Sequence, residues 1–273
     1  MENTGRYNWP LFEVLADSIH LVFVVNPLHL KKSIGLVRGK NDKIDAVRIA
    51  LFIEKNYQDL KPWVSPSEGI RKLKVLLTER NFRIKCKRQL ISQKRDYSKM
   101  KKLNLEKPLI KMNKEMMDHL DEQIKRIEKQ IEEIIQMDAE LNQQDKLIKT
   151  VPGVGKVLSW TMLAKTEGFK AIDEPRKMAC YSGVVPFDFQ SGTSVRGKNR
   201  VSSLADKSVK SILHLAAMSA IRLKNDLRIY YLRKVAEGKN KMSVLNAVRN
   251  KIIHRIFAMI KSQTPYKINL ELS

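Results

Sequence analysis

His20 to Pro27, HLVFVVNP, holds five consecutive apolar residues, several of them β-branched, closed by an Asn-Pro pair. A run this short, ended by a proline that cannot donate to a ladder, predicts a strand over Leu21–Val25. Because the run does not alternate with polar residues, both faces of that strand are expected to be buried, as in the sheet of an α/β domain. It is far too short to span a bilayer. Ahead of it, PLFEVLAD (10–17) reads as a short helix, with Pro10 in the first turn and Leu11, Val14 and Leu15 on one face. After it, residues 28–38 read as a basic connection, with Gly35 inside it and Gly39 just beyond. From about Asn41 the pattern DKIDAVRIALFIEK turns helical.

Charge limits what such a chain can do. Its 273 residues carry 52 Lys+Arg against 29 Asp+Glu, a formal net charge of +23. That excess calls for a polyanionic partner, and nucleic acid is the expected one, because each phosphate met by a cation releases condensed counterions. A hydrophobic fraction of 43% excludes a disordered chain and allows real cores. Cys86 and Cys180 stand far apart with no CxxC pairing, which argues against zinc and for reduced thiols in the cytoplasm. With no signal peptide and no spanning segment, a soluble intracellular protein is expected.

From Ser67 to about Leu103 the pattern is helical and strongly basic, until Asn104 and Pro108 interrupt it. Met117, Leu120, Ile124, Ile127, Ile131, Ile134 and Leu141 then form a heptad stripe that Asp138 breaks. Two arrangements use such a stripe: a coiled coil that dimerises the protein, or a helical hairpin with the 67–103 helix.

A second region begins near Leu147 with KTVPGVGKVLSWTMLAKTEG (149–168). Val151-Pro152-Gly153-Val154-Gly155-Lys156 before an apolar helix has the form of a helix-hairpin-helix turn. Gly153 and Gly155 would let the backbone approach a phosphate, free amides would cradle it and Lys156 would add charge. The alternative is a plain glycine turn that packs two helices. Further on, YSGVVP (181–186) leads into QSGTSVRGKNR (190–200), a hydroxyl-rich loop with Arg196, Lys198 and Arg200. A serine there can attack a phosphodiester while the cations stabilise the phosphorus centre, or the loop can simply bind a backbone. Asp42 and Asp45, at i and i+3, share a helix face. They suit either a hard cation such as Mg²⁺ or a helix start, where the dipole favours acids.

In order along the chain, ENTGRY (2–7), VVNP (24–27), KNDKIDA (40–46), VPGVG, YSGVVP, the QSGTSVRGKNR loop and LHLAA (213–217) resemble the DEDD transposases of bacterial insertion sequences. That group, insertion-sequence family one-ten, includes the Piv-type DNA invertases and the bridge-RNA-guided recombinases. The resemblance implies an α/β plus all-α protein: a RuvC-like domain of the RNase H type over 1–66, a helical coiled-coil connection over 67–146 and a C-terminal transposase domain over 147–273. It implies Glu2, Asp42 and Asp45 as the second, third and fourth acids of a divalent-metal site, with Mg²⁺ as cofactor. Ser191 of the QSG segment matches the family serine, and Ser194 is the reserve candidate. The first acid of the family, on an opening strand, has no counterpart in this chain, which therefore reads as N-terminally truncated, with an apolar edge left on Leu21–Val25. The function implied is DNA transposition by metal-assisted strand cleavage and exchange through a serine; the alternative is a remnant that only binds nucleic acid. DNA is the partner implied, with a guide RNA and a dimer or tetramer as further expectations.

Overall fold

The computed structural model describes residues 1–16, 18–34, 41–99, 104–185, 190–191, 195–196, 201 and 204–267. The chain forms two compact units, Met1–Ser67 and Glu68–Ser273.

In the first unit, α1 (Trp9–Leu15) follows a short 3-10 turn over Gly5–Asn8. The run Leu21–Val25 does not become the doubly buried strand expected of it. Among the described residues it makes one isolated parallel bridge, Glu2 with Val25, in which the Val25 amide donates to Met1 (2.8 Å) and the Asn3 amide donates to Val25 (2.9 Å). On its other side the Trp63 amide donates to the Val22 carbonyl at 2.6 Å. Burial alternates from Val22 onward: Phe23 and Val25 are buried and Val22 and Val24 only half-buried, while Leu21, on the face of Phe23 and Val25, is 63% exposed. The segment is extended with one face in a core, and its apolar run length overstated its burial.

Residues 27–34 are also not a connection but a helix, α2 (Pro27–Ile34). The Asn26 side chain accepts the Leu28 amide at 2.9 Å, and Pro27 opens the first turn. An Asn-Pro pair ends a strand and starts a helix equally well, since proline at a first helical position loses no bond. α3 (Asp42–Asn56) begins where expected, with the Asn41 side chain accepting the Lys43 amide at 2.9 Å. A small core of Val25, Leu30 and Phe52, flanked by Ile49, Ile53 and Leu60, joins these pieces. Phe12 stacks on Trp63 with ring centroids 4.6 Å apart.

The second unit is built on two long helices, α4 (Glu68–Tyr97) and α5 (Glu106–Met137). Arg80 pairs with Glu128, Arg83 with the Gln123 side chain and Lys87 with Asp121. Numbers rise on one helix as they fall on the other, so the two form an antiparallel hairpin within one chain. Of the two uses foreseen for the heptad stripe, this is the intramolecular one. Ile70, Leu73 and Leu77 of α4 are buried, as are Ile127, Ile131 and Ile135 of α5. The spacing 127–131–135 is four and four rather than four and three, so Ile135 replaces the expected Ile134 in the core. At that end α5 joins a larger core and its buried stripe turns.

That core belongs to α6 (Ala139–Lys149), α7 (Lys156–Thr166), α8 (Pro175–Tyr181), α9 (Lys207–Ala220), α10 (Asp226–Ala236) and α11 (Lys241–Ser262). Trp160, Met162 and Leu163 of α7, Leu213 of α9 and Ile252, Ile253 and Ile256 of α11 are wholly buried in it. Each such side chain contributes about 1.5–3 kcal/mol by leaving water. The hairpin base and the C-terminal helices share this one cluster. A two-residue antiparallel ladder, β1 (Gln190–Ser191) with β2 (Val195–Arg196), is the only paired sheet among the described residues. The architecture is mostly helical, with far less strand than the α/β expectation for the first region.

Candidate active site

Glu2 is held by its own motif. The Asn8 side chain, itself buried, donates from its amide nitrogen to the Glu2 carbonyl at 2.9 Å, and the Thr4 hydroxyl bonds to the Asn8 side-chain oxygen. Asn3 accepts the Gly5 amide at 3.1 Å, and Gly5 takes the left-handed conformation, φ +71°, that this turn requires. ENTGRYN is thus a small hydrogen-bonded knot beside the extended segment. Sequence reading singled out Glu2 and missed Asn8, the residue that fixes its backbone.

Asp42 and Asp45 lie in the first turn of α3. Asp42 is exposed, and Asp45 pairs with Arg48 at 2.8 Å. The first turn is where the helix dipole favours acids. Carboxylate oxygens are the hard donors Mg²⁺ takes. As placed, however, Glu2, Asp42 and Asp45 do not converge: among the described residues no group of three or more His, Cys, Asp or Glu side chains is arranged to hold a metal ion. The donor chemistry fits a divalent cation and the arrangement does not.

The VPGVG turn joins α6 to α7. Gly153 has φ +83°, and a Cβ added there would lie 2.3 Å from the Ala216 carbonyl oxygen and 2.7 Å from Ala220 Cβ. Close approach of the turn to α9 therefore accounts for this glycine, while Val151 and Val154 on either side are buried. Gly155, the N-cap of α7, has open space around it and no such constraint. Lys156 reaches back to α5, 3.0 Å from Glu128 and 3.3 Å from Glu132, with its ammonium 5.4 Å from the Trp160 ring centroid. Hydrogen bonding to Glu128 raises the Lys156 pKa above the usual lysine range. Burial works against ionisation of Glu128, yet its bonds to Lys156 and Arg80 hold it below the usual range. Lys156 is thus engaged with acids of its own chain. Much of the positive face of α4 is engaged in the same way, through Lys72 with Glu68, Lys74 with Glu167, Arg80 with Glu128 and Lys87 with Asp121.

Ser191 stands in β1, with Val195 as its register partner and Arg196 opposite Gln190. Ser194, Lys198 and Arg200 lie outside the described residues. Ser191 falls in the second unit and the three carboxylates in the first.

The two ends of the segment that contains Ser191 are tied together. The Asp206 amide donates to the Tyr181 carbonyl at 2.8 Å. The Lys165 ammonium lies 2.8 Å from Asp206 and 3.2 Å from the Tyr181 hydroxyl, which itself donates to Asp206 at 3.1 Å. Gly183, φ +63°, packs so closely that an added Cβ would lie 2.5 Å from Ala205 Cβ. Asp206 also caps α9, accepting the Ser208 and Val209 amides. Burial alone would raise the Asp206 pKa, but Lys165, Ser208 and Val209 hold it far below the usual carboxylate range. Burial would lower Lys165, and Asp206 and Tyr181 together hold it above its ordinary value. The Tyr181 hydroxyl is pushed up by its burial. Neither Lys165 nor Asp206 was legible as part of this neck, because they lie 41 residues apart.

Residues 1–97 match a model of IS110-type DEDD proteins described as "Transposase", and residues 145–232 match one described as "Transposase IS116/IS110/IS902 family". The chain belongs to this IS110 family of insertion-sequence transposases. It is 27% identical over 270 residues to the pilin gene-inverting proteins of Moraxella bovis and Moraxella lacunata, covering 97% of this chain and 80% of each of theirs. It is 25% identical over 128 residues to an uncharacterised 43.6 kDa protein of insertion element IS110 from Streptomyces coelicolor, covering 47% of this chain and 31% of that one. Among the described residues no helix is long and apolar enough to cross a membrane.

Proposed function

We propose that this chain binds duplex DNA and recombines it, with Ser191 as the nucleophile. The observation that carries the reading is the pair of family matches, in order along the chain, one of which spans the Ser191 segment. The similarity to proteins named for inverting a pilin gene supports a strand-exchange outcome rather than simple hydrolysis. The net charge of +23 supplies affinity for a phosphate backbone without sequence readout.

In this reading the Ser191 hydroxyl oxygen attacks a backbone phosphorus and the bond from phosphorus to the 3′ oxygen breaks. The serine proton passes to that leaving oxygen, which becomes a 3′ hydroxyl, and the 5′ end stays joined to the protein as a phosphoserine ester. A 3′ hydroxyl from another strand then attacks the ester, closes a new phosphodiester and returns the serine. The neck formed by Lys165, Tyr181 and Asp206 holds the two ends of the Ser191 segment while this happens. Arg196, Lys198 and Arg200 are assigned to the DNA backbone on resemblance and charge; Gly153, Gly155 and Lys156 share that assignment on resemblance alone, with Gly153 packed on α9 and Lys156 paired with Glu128 and Glu132. The domain assignment proposed with it is a partial RuvC-like, RNase H-type region over 1–66, a helical connection over 67–146 and a transposase region with a helix-hairpin-helix-like turn over 147–273. The same resemblance extends the proposal to a guide RNA and to a dimer or tetramer; it also implies Mg²⁺ on Glu2, Asp42 and Asp45, which as arranged do not form a site for it.

One observation favours a second reading, in which the chain binds nucleic acid without cutting it: the three carboxylates do not form a cation site, and Asp45 is taken up by Arg48. Incubating the protein with labelled supercoiled DNA and trapping with detergent separates the two. A covalent protein–DNA species that disappears in Ser191→Ala while DNA binding persists supports recombination; binding with no adduct in the native chain supports the second reading. An adduct that survives the substitution removes Ser191 from the role and moves Ser194 forward.

A further inference from the structure

Arg249, on α11, is 6% exposed. Arg80 and Arg255, both largely buried, each meet a carboxylate, Glu128 and Asp226 respectively. No carboxylate pairs with Arg249 among the described residues. Its Nη2 instead lies 2.7 Å from His214 Nδ1 on α9 and its Nη1 donates to the Asn246 side-chain oxygen at 3.2 Å. Its Nε is buried without a partner. Both partners are neutral acceptors: burial, with Arg249 beside it, lowers the His214 pKa and favours the uncharged imidazole.

A guanidinium cannot escape burial by losing its proton, so an unpaired one carries a desolvation cost that its neighbours do not offset. Such a group is stabilised by an anion. Its position says which part of the chain would share that anion. Asn246, which holds Arg249, also donates to the Val184 carbonyl at 2.6 Å, and Val184 is buried at the root of the Ser191 segment. His214 is the polar member of LHLAA, a motif with no other assigned role.

We infer that Arg249, flanked by His214 and Asn246, is a binding site for a backbone phosphate of DNA at the root of the Ser191 segment. The inference rests on the reading of the chain as DNA-acting and adds a specific cation to it. Planar guanidinium donors suit two phosphate oxygens at once, and Nη1 and Nη2 each carry a second hydrogen beyond the one directed at Asn246 or His214, whereas Nε is enclosed by the protein. The charge is held in place before DNA arrives, so little ordering is needed on binding.

The test compares native protein, Arg249→Met and Arg249→Gln for binding to a fluorescently labelled duplex of arbitrary sequence over a series of salt concentrations. Glutamine keeps a donor for His214 or Asn246 without the charge, so it carries the test should the methionine chain fail to fold. Expected are a loss of about tenfold in affinity at low salt and a salt slope of log K shallower by about 1. Thermal unfolding of the free variants should show a midpoint held or raised, because a buried unpaired charge has gone. A folded variant with native affinity and slope overturns the inference. So does a slope lost on an RNA duplex but kept on DNA. Native protein that does not bind DNA at all overturns the proposed function itself, an outcome distinct from either.

Discussion

Replacing Gly153 with alanine separates the two readings of the VPGVG turn. Its φ of +83° lies in the left-handed region, which costs an L-residue about 1–2 kcal/mol. The new Cβ would lie 2.3 Å from a backbone carbonyl oxygen and 2.7 Å from both the nitrogen and the Cβ of Ala220, so the turn must move off α9. Overpacking of that kind costs roughly 1–3 kcal/mol, for a total of about 2–5 kcal/mol against the 5–15 kcal/mol typical of a domain. Gly155→Ala, at φ −101° with nothing near its Cβ, should cost no more than about 1 kcal/mol as a weakened N-cap. Trp160 lies in α7, fully buried, and the other two tryptophans are in the first unit. In a Trp9→Phe, Trp63→Phe background its fluorescence follows urea unfolding of the second unit alone. The midpoint should fall steeply for Gly153→Ala and little for Gly155→Ala. Equal, small shifts for both, accompanied by weakened DNA binding for both, would refute the packing argument and return the turn to a phosphate cradle.

Ile135→Ala should destabilise the second unit by about 2–5 kcal/mol and Ile134→Ala by clearly less, measured by the same unfolding assay, since Ile135 is buried and Ile134 only half-buried. The neck has a signature in acid. Because the folded Asp206 carboxyl titrates far below the unfolded one, the stability it contributes is complete above about pH 4 and is lost as pH falls below that toward the folded pKa. Lys165→Met removes its main partner, so the acid limb of stability against pH should become shallower; an unchanged limb would mean that Lys165 does not hold Asp206.

Local features of the fold were readable from sequence and nonlocal ones were not. Asn41 and the period of DKIDAVRIALFIEK located the start of α3, because a cap and the face it opens are neighbours in the chain. The hairpin followed from the stripe on α5, although which isoleucine closes it depends on helices that join from beyond residue 139. Leu21–Val25 misled because strand formation needs a partner: Val25 finds one backbone neighbour at Glu2, too little for a ladder. Asn26-Pro27 carried two meanings, and only the Leu28 amide on the Asn26 side chain selects the helical one. At the candidate site, spacing singled out Asp42 and Asp45 as either a metal pair or a helix start, and the roles given to them and to Ser191 came from the family resemblance; in the structure the two acids stand at the start of α3 and form no cation site with Glu2. Arg249 escaped notice because an arginine on a mixed helix reads as a surface residue; its burial comes from α9, whose approach no local pattern records.

The neck has a consequence for how this family can vary. With the Tyr181 carbonyl bonded to the Asp206 amide, the two ends of the 182–205 segment are held together. A segment closed at its base in this way can lengthen at a cost that grows only with the logarithm of its length, about 0.6 kcal/mol for each doubling. Added length between the anchored ends therefore costs the body of the second unit little, provided that Lys165, Tyr181, Gly183, Val184 and Asp206, which fix those ends, are kept.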